Sequence, residues 1–557
     1  MDKIRIVMLG GQDELYKSMT AVEINDDIFV IEAGLRFPDR TKPGIDFIIP
    51  RYDYLIENKH RIKGYFITHG YDAVFGSLLY FYDKAPAPIY CTQTTKNFML
   101  GFCTHFKLDF NKYPINIVKT DADIVINNRL IQFFGVTSNF AESIGISIST
   151  DQGNIIYMSN AVAHNDFEPG FTPDKRKISK ILNNPTLTLL IDSYNADKPG
   201  YCSPNYRLLH VLKTDIFDRP GRVFLAIERP NLFNIIECLN SALEHGRKII
   251  PYDRYSSEIV DILKNEGFLH LQRDSLASLE DVNRLRPQDV VVFMTGYGRK
   301  LDDKIALLAS KNNDEKIVFL TKNDTFVYGV HVMSENETIS TETIDELYKT
   351  DCTIFRPNQK TYWHMHACEE DIKFFIASFR PKYLIPVSAP FVKLLACAMI
   401  ALKMNVGLNH NNVFIVDNGN IIEFEAGFGK VSSSKAIVGD VFVDGKGIGD
   451  TSAVVLEERQ RFADEGVIIL AVTISKEKQE IVAGPDVQAR GLVFLKDNEA
   501  LIKEITRLFV STVENELAKE RYSIAYMETA IKDIVFKAVR RALNKTPTII
   551  PIITEIN

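Results

Sequence analysis

Residues 64–76 read Gly-Tyr-Phe-Ile-Thr-His-Gly-Tyr-Asp-Ala-Val-Phe-Gly. The apolar run Gly64–Thr68 has the composition of a strand, His69-Gly70 marks a turn, and the residues that follow suit a helix. Side chains at such a strand end project into the crevice above the sheet, where open α/β folds commonly bind ligands. The segment is therefore a structural unit and a candidate site at once.

Outward from it, short hydrophobic runs dominate the first third of the chain: Ile4–Leu9, Ile28–Ile31, Ile115–Val118, Leu130–Val136, Ile144–Thr150 and Asn154–Met158. Turn-forming clusters separate them, as at Asn25-Asp26-Asp27, Asn127-Asn128 and Asp151-Gln152-Gly153. Several runs follow one another without a helix between, so antiparallel or mixed sheet is expected, layered with helices outside. From about residue 206 the rhythm becomes strand then helix: Arg222–Ile227 then Leu232–His245, Lys248–Pro251 then Ser256–Glu266, then the strands Asp289–Met294 and Lys316–Leu320. Such alternation implies βαβ units, a parallel sheet and a separate domain. After Arg356 the pattern resumes with Glu369–Ser378, Tyr383–Pro386, Pro390–Leu402 and Val413–Val416, and the Gly/Ser/Asp-rich stretch Gly427–Thr451 reads as a linker or an extended crossing.

The last hundred residues form a compact block with strands Val467–Thr473, Glu480–Ala483 and Thr548–Ile553 and helices Asn498–Leu517 and Ser523–Leu543. In the second helix Ile531, Ile534, Val535, Ala538 and Ala542 make an apolar stripe, while Lys537, Arg541 and Lys545 line up at spacing four with Arg540 beside them. That basic stripe is either a solvated face or a nucleic-acid contact.

Composition bounds the rest. The chain has 557 residues, 46% hydrophobic and 25% charged, with a formal charge of −7. This implies about three or four ordinary globular domains, and argues against disorder, collagen-like repeats and a membrane-embedded bundle. The mild negative balance disfavours a protein that coats nucleic acid by bulk charge, but not one with a local basic surface. Seven scattered cysteines without a Cys-x-x-Cys pair fit a reducing compartment, and no run of 18 apolar residues is present, so a cytoplasmic location is expected. The tightest histidine pair, in His364-Met365-His366-Ala367-Cys368, is able to ligate a metal or touch a phosphate if further ligands converge on it; a pair of partly exposed histidines without metal is the alternative.

Several segments taken together resemble ribonuclease J. They are Asp27–Pro38 followed by Gly44-Ile45-Asp46, Phe66–Gly70, Leu190–Asn195, Arg380–Val387, Val441–Asp450 and Val482–Gly491, in the same order as in that family and nearly end to end. The resemblance implies an α/β metallo-β-lactamase sandwich (αββα) interrupted by a β-CASP domain and followed by a small α+β domain. On this chain the expected divisions are 1–205 and 361–440 for the two parts of the core, 206–360 for the β-CASP domain, 441–462 for a linker and 463–557 for a C-terminal assembly domain. It also implies RNA cleavage by two zinc ions, which activate a water and clamp the attacking and leaving oxygens.

The ligand positions have changed. Where the family has His-x-His-x-Asp-His, this chain has His69, Tyr71, Ala73 and Val74; the next histidine corresponds to Ser138, the bridging aspartate to Asn160 and the last histidine to Ser388. Asp72 matches an acid that does not bind zinc. Loss of even a residue behind the ligands costs about 10–100-fold in metal affinity or activity, and here the ligands themselves are gone. The expectation is a site with no metal cofactor and a catalytically inactive protein. The phosphate-holding stretch of the family, Ser-Gly-His-Ala-Ser, aligns with His364 to Cys368, where only His366 and Ala367 persist; Met365 replaces a glycine that lets backbone approach a phosphate. Thr295–Arg299 corresponds to a glycine-rich β-CASP turn, with Tyr297 and Arg299 either on RNA or simply exposed. The retained scaffold leads us to expect a partner or structural subunit, assembled with itself or with an active ribonuclease J. A residual or altered exo- or endoribonuclease and an RNA-binding module without turnover are the alternatives.

Overall fold

The computed structural model describes the chain except residues 39–41, 43, 165–169, 213–214, 311–317, 333–335, 446, 450–452 and 493–498. It divides into two compact units, one of Met1–Phe37 with Phe47–Gly445 and one of Pro38–Asp46 with Lys446–Asn557.

The first unit contains two mixed sheets. One runs in the order Phe428–Lys435, Asn420–Glu425, Ile4–Gly10, Met19–Ile24, Asp27–Ile31, Ile62–Phe66, Ile89–Cys91, Ile115–Ile117; the other runs Tyr383–Val387, Thr186–Asp192, Gly153–Met158, Ile144–Thr150, Arg129–Gly135, Asp123–Ile126. Strand periodicity decides which face each residue serves. In Ile4–Gly10, Ile4, Ile6 and Met8 join Phe66, Phe133, Ile146, Tyr157, Leu190 and Ile385 in the core between the sheets. Val7 and Leu9 point the other way, into a core shared with Phe98 and Phe102 of the helix Gln93–Phe106. Behind the second sheet, Leu189 and Ile191 pack with Ile372 and Ile376 of Glu369–Phe379 and with Cys397 and Ala401 of Phe391–Lys403. The result is the expected sandwich of helix, sheet, sheet and helix.

A third sheet is wholly parallel, in the order Lys248–Pro251, Val290–Gly296, Val223–Glu228, Thr325–Gly329, Thr353–Phe355. Helices Leu232–Glu244 and Arg254–Asn265 cover one face, and Gly298–Ala309 and Glu337–Tyr348 the other.

In the second unit, Val467–Ser475 pairs antiparallel with Glu480–Arg490 and parallel with Thr548–Ile556. Helices Glu499–Leu517 and Ile524–Leu543 lay Phe509, Val513, Ile531 and Val535 on Ile468, Leu470, Val472 and Ile474. Ile550 and Ile552 alternate to the opposite face of the sheet and are 38% and 47% exposed. Ala542, expected in the apolar stripe, is exposed.

The structure corrects four local readings. Within 427–451, read as linker or crossing, Phe428–Lys435 forms the edge strand beside Asn420–Glu425, and Asp440–Asp444 pairs antiparallel with Phe47–Pro50, burying Val441 and Val443. The alternation of Val441 and Val443 was the signal, hidden by the surrounding glycine and serine. Residues 316–317 of the strand read at Lys316–Leu320 lie outside the described residues, Val318–Leu320 is not strand, and the next strand is Thr325–Gly329. Val413 makes only a single bridge to Leu384. In the stretch 441–462, a helix occupies Ala453–Glu465. All seven cysteines are buried with free thiols. Among the described residues, no helix is long and apolar enough to cross a membrane.

Candidate functional site

Three adjacent parallel strands, Gly153–Met158, Thr186–Asp192 and Tyr383–Val387, end side by side and deliver Asn160, Asp192 and Ser388 to one crevice. The loop after Ile62–Phe66 brings His69 to the same place. The pocket is open to solvent and is lined by His69, Tyr71, Ala73, Val74, Asn160, Ser388, His364 and His366, together with Tyr16, Ser18, Asn139, Ser159, Asp192, Tyr194 and Pro230. Gly34 packs beneath it so tightly that a Cβ there would lie 1.7 Å from the Ala73 carbonyl oxygen, which explains the glycine of Glu32-Ala33-Gly34. Glu32, Asn160 and Ser388 all hold left-handed backbone, with φ of 61°, 51° and 61°. Only for the asparagine is that an inexpensive conformation.

A continuous hydrogen-bond chain runs along this crevice. The Asn139 amide donates to the Pro230 carbonyl at 2.7 Å, which fixes its Oδ1 as the group facing Asn160. Asn160 Nδ2 donates to that Oδ1 at 2.7 Å and lies 3.5 Å from His69 Nε2. The imidazole then accepts at Nε2 and donates from Nδ1 to the Thr68 hydroxyl at 2.9 Å, and Thr68 donates onward to Glu32 Oε1 at 2.7 Å. Tyr157 donates to the other Glu32 oxygen at 2.9 Å. Burial holds His69 neutral, its value pushed down to about 3, and burial raises Glu32 to about 7 against the hydrogen bonds that favour its charged form. Ser388 sits with its hydroxyl 3.0 Å from that of Ser18, and Ser138 donates to Asn139 Oδ1 at 3.0 Å from behind the pocket wall.

Asp72 turns away from the pocket. Its carboxylate pairs at 2.8 Å with Arg229, from the loop after Val223–Glu228, and both are buried. Arg229 also donates to the hydroxyls of Tyr255 and Tyr297. Tyr297 is thus engaged inside the protein, its ring 4.5 Å from that of Phe37, while Arg299 is exposed and pairs with Asp303. Burial raises Asp72 to about 6, opposed by the guanidinium charge.

Of the candidate phosphate-binding residues, His364 and His366 line the pocket, whereas Ala367 is buried behind it and Cys368 caps the following helix. His366 Nδ1 lies 2.6 Å from Asp192, and its ring packs on Tyr194 with centroids 4.5 Å apart. Lys393 lies 4.2 Å above that tyrosine ring. His364 stacks on His331, with centroids 3.8 Å apart. In the second unit Lys537, Arg540 and Arg541 are exposed, while Lys545 reaches the Asp464 carbonyl at 3.3 Å and Glu465 at 3.9 Å.

These residues do not make the donor set of a two-zinc centre. Such a centre needs several imidazoles and a bridging carboxylate. At the positions concerned stand one imidazole, a phenol, two aliphatic side chains, two hydroxyls and an amide, and that amide presents an N–H group to the only imidazole. An N–H donor aimed at a ligand nitrogen occupies the lone pair that a metal requires. Sequence reasoning did not reach Glu32, Thr68, Arg229 and His331 as parts of the site. The Glu-Ala-Gly motif marked Glu32; the partners of Arg229 lie 157, 68 and 26 residues away, beyond any local pattern.

Comparison with known proteins bears on both halves of the molecule. The pattern defining the ribonuclease J β-CASP domain matches residues 220–347, which carry most of the parallel sheet, and that of the ribonuclease J C-terminal domain matches residues 454–556. Proteins named ribonuclease J 2 are similar along the whole length. The one from Staphylococcus epidermidis is 28% identical over 99% of this chain and 98% of its own, and the one from Staphylococcus aureus is 29% identical over 99% and 98%. A crystal structure of a protein of unknown function from Enterococcus faecalis V583 superimposes with a TM-score of 0.51 at 12% identity, covering 76% of this chain and all of its own, a likeness of fold alone. Two domain patterns, full-length relatives and a sandwich split by a parallel-sheet insertion agree: this chain belongs to the ribonuclease J family, RNA-processing proteins of the metal-using metallo-β-lactamase type.

Proposed function

We propose that this protein is a catalytically silent ribonuclease J subunit that acts in cytoplasmic RNA decay or processing by assembling with an active ribonuclease J. The observation that carries the reading is the Asn160 amide directed at His69, within a hydrogen-bond chain that runs from Pro230 to Glu32. A hydrolytic water at neutral pH depends on a bound cation to lower its pKa from about 15.7, and the inherited positions offer no set of donors for one. The assembly part of the reading is supported by the outer face of the C-terminal sheet, where Ile550 and Ile552 stand exposed on a strand whose other face is packed. The buried free thiols favour a reducing compartment.

Cleavage of 5′-monophosphorylated RNA, measured for the wild type and for His69→Ala, tests the silent site. The expected result is no turnover by either; cleavage that disappears in His69→Ala refutes it. Native mass spectrometry of the protein drawn from its own cells tests assembly, and strictly self-associated species without an active ribonuclease J refute the subunit role. A second reading, RNA binding without turnover, draws on the exposed Lys537, Arg540 and Arg541.

A further inference from the structure

We propose that Glu228, His331 and His364 form a binding site for one divalent transition-metal ion of zinc type, distinct from the inherited metal positions. The site follows from the topology of the parallel sheet. Val223–Glu228 is its central strand, and its neighbours Val290–Gly296 and Thr325–Gly329 lie on opposite sides. The chain therefore switches direction across this strand, and the carboxyl ends of strands at such a point open a crevice. Glu228 is the last residue of the central strand, and His331 follows Thr325–Gly329 by two residues. His364 arrives from the segment that returns to the sandwich.

The geometry converges on one carboxylate oxygen. His331 Nδ1 contacts Glu228 Oε1 directly, His364 Nδ1 lies 3.9 Å from the same oxygen, and one ligand atom from each of the three residues falls within 4.8 Å of the others. Around a tetrahedral ion with bonds of roughly 2.0–2.2 Å, donor atoms stand about 3.3 Å apart. Seating the ion asks the His331–Glu228 contact to open, His364 to close on that oxygen and the His331–His364 stack to part, because each imidazole lone pair lies in its ring plane. Two imidazoles and one carboxylate are a donor set suited to zinc and its neighbours, with the fourth position left to water.

Nδ1 of each histidine faces Glu228, so it is the donor that each ring presents to an ion. His331 and Glu228 are enclosed, with Tyr362 stacked 4.0 Å from His331, whereas His364 also lines the pocket and gives an ion and its water a way in.

The test uses the full-length protein, stripped with chelator and titrated with zinc or cobalt alone. The expected result is one ion per chain, a visible cobalt spectrum and a zinc-dependent rise in melting temperature. His331→Ala and His364→Ala should each weaken binding at least about 10-fold, whereas His69→Ala should leave it unchanged. Glu228→Gln, which keeps shape and volume, guards against misfolding, and it too should weaken binding while the circular dichroism spectrum stays that of wild type. Absence of saturable binding, or binding that survives both histidine substitutions, overturns the proposal. Binding lost only in His69→Ala overturns it as well and returns the ion to the inherited pocket, which would also undo the silent-site reading. RNA cleavage without metal at Glu228 would undo that reading alone.

Discussion

Replacing Glu32 with glutamine removes a carboxylate enclosed beneath the pocket floor. Its ordinary value of 4.5 is raised to about 7, chiefly by burial, despite hydrogen bonds from Thr68, Ser159 and Tyr157. The native state therefore holds this proton more tightly than the unfolded chain. Its contribution to stability is complete below about pH 4.5 and is lost as pH rises through about 7. At 1.36 kcal/mol per pH unit, the whole loss is about 3 kcal/mol, of which roughly 2–3 kcal/mol falls between pH 5 and 8. Glutamine cannot ionise, so this loss is absent in the variant. It keeps one carbonyl acceptor for the three hydroxyls, at a cost of about 1 kcal/mol. Glu32→Gln should thus be less stable than wild type at pH 5 and more stable at pH 8. The single tryptophan, Trp363, lies in the first unit, so urea unfolding followed by its fluorescence reads the relevant transition. Histidine titration affects both proteins alike and cancels in the difference. Parallel stability curves for the two proteins between pH 5 and 8 would refute the reasoning.

Other perturbations have equally definite outcomes. Asp72→Asn strands the buried Arg229 charge and should cost about 3–5 kcal/mol in the same urea assay, with part of the loss recovered in Asp72→Asn/Arg229→Met. His69, lowered to about 3 by burial, contributes stability that is present above pH 6.5 and lost as pH falls toward 3; His69→Asn should therefore narrow the gap to wild type as acid is added, seen by following Trp363 fluorescence from pH 7 to 4. Arg540→Glu with Arg541→Glu should weaken RNA binding and reduce its dependence on salt by about one unit of slope per lost phosphate contact, whereas unchanged affinity would exclude this face.

The sequence carried the layers of the fold because each rests on local periodicity: two-residue alternation in Ile4–Gly10, strand-helix alternation from residue 222, and three-to-four spacing in Ile524–Leu543. Strands lacking that signature were harder to read, as at Phe428–Lys435, where Ser432, Ser433 and Ser434 lie on an edge that buries little. In the site, the identity of each side chain at the expected ligand positions was legible, since it belongs to a single residue. The network that those side chains make was not. The Asn139–Asn160–His69–Thr68–Glu32 chain and the Asp72–Arg229 pair depend on side chains from separate strands and from the inserted domain, and no spacing rule encodes such meetings. Met365 was legible as a lost glycine, but its burial in the core next to the His364 stack was not.

The left-handed backbone at Glu32, Asn160 and Ser388 has a consequence for how this chain has changed and can still change. Strain of that kind, about 1–3 kcal/mol for a residue other than glycine, persists only where the surrounding structure enforces it. The main-chain path around the crevice therefore behaves as a mould whose shape outlasts whatever is cast in it. Short side chains that hydrogen-bond nearby, such as asparagine and serine, fill such a mould without breaking it, while β-branched residues at these three positions would not fit its torsions. Drift at this site is thus channelled toward small polar occupants, and the path back to a different side chain at the same position requires no rebuilding of the backbone.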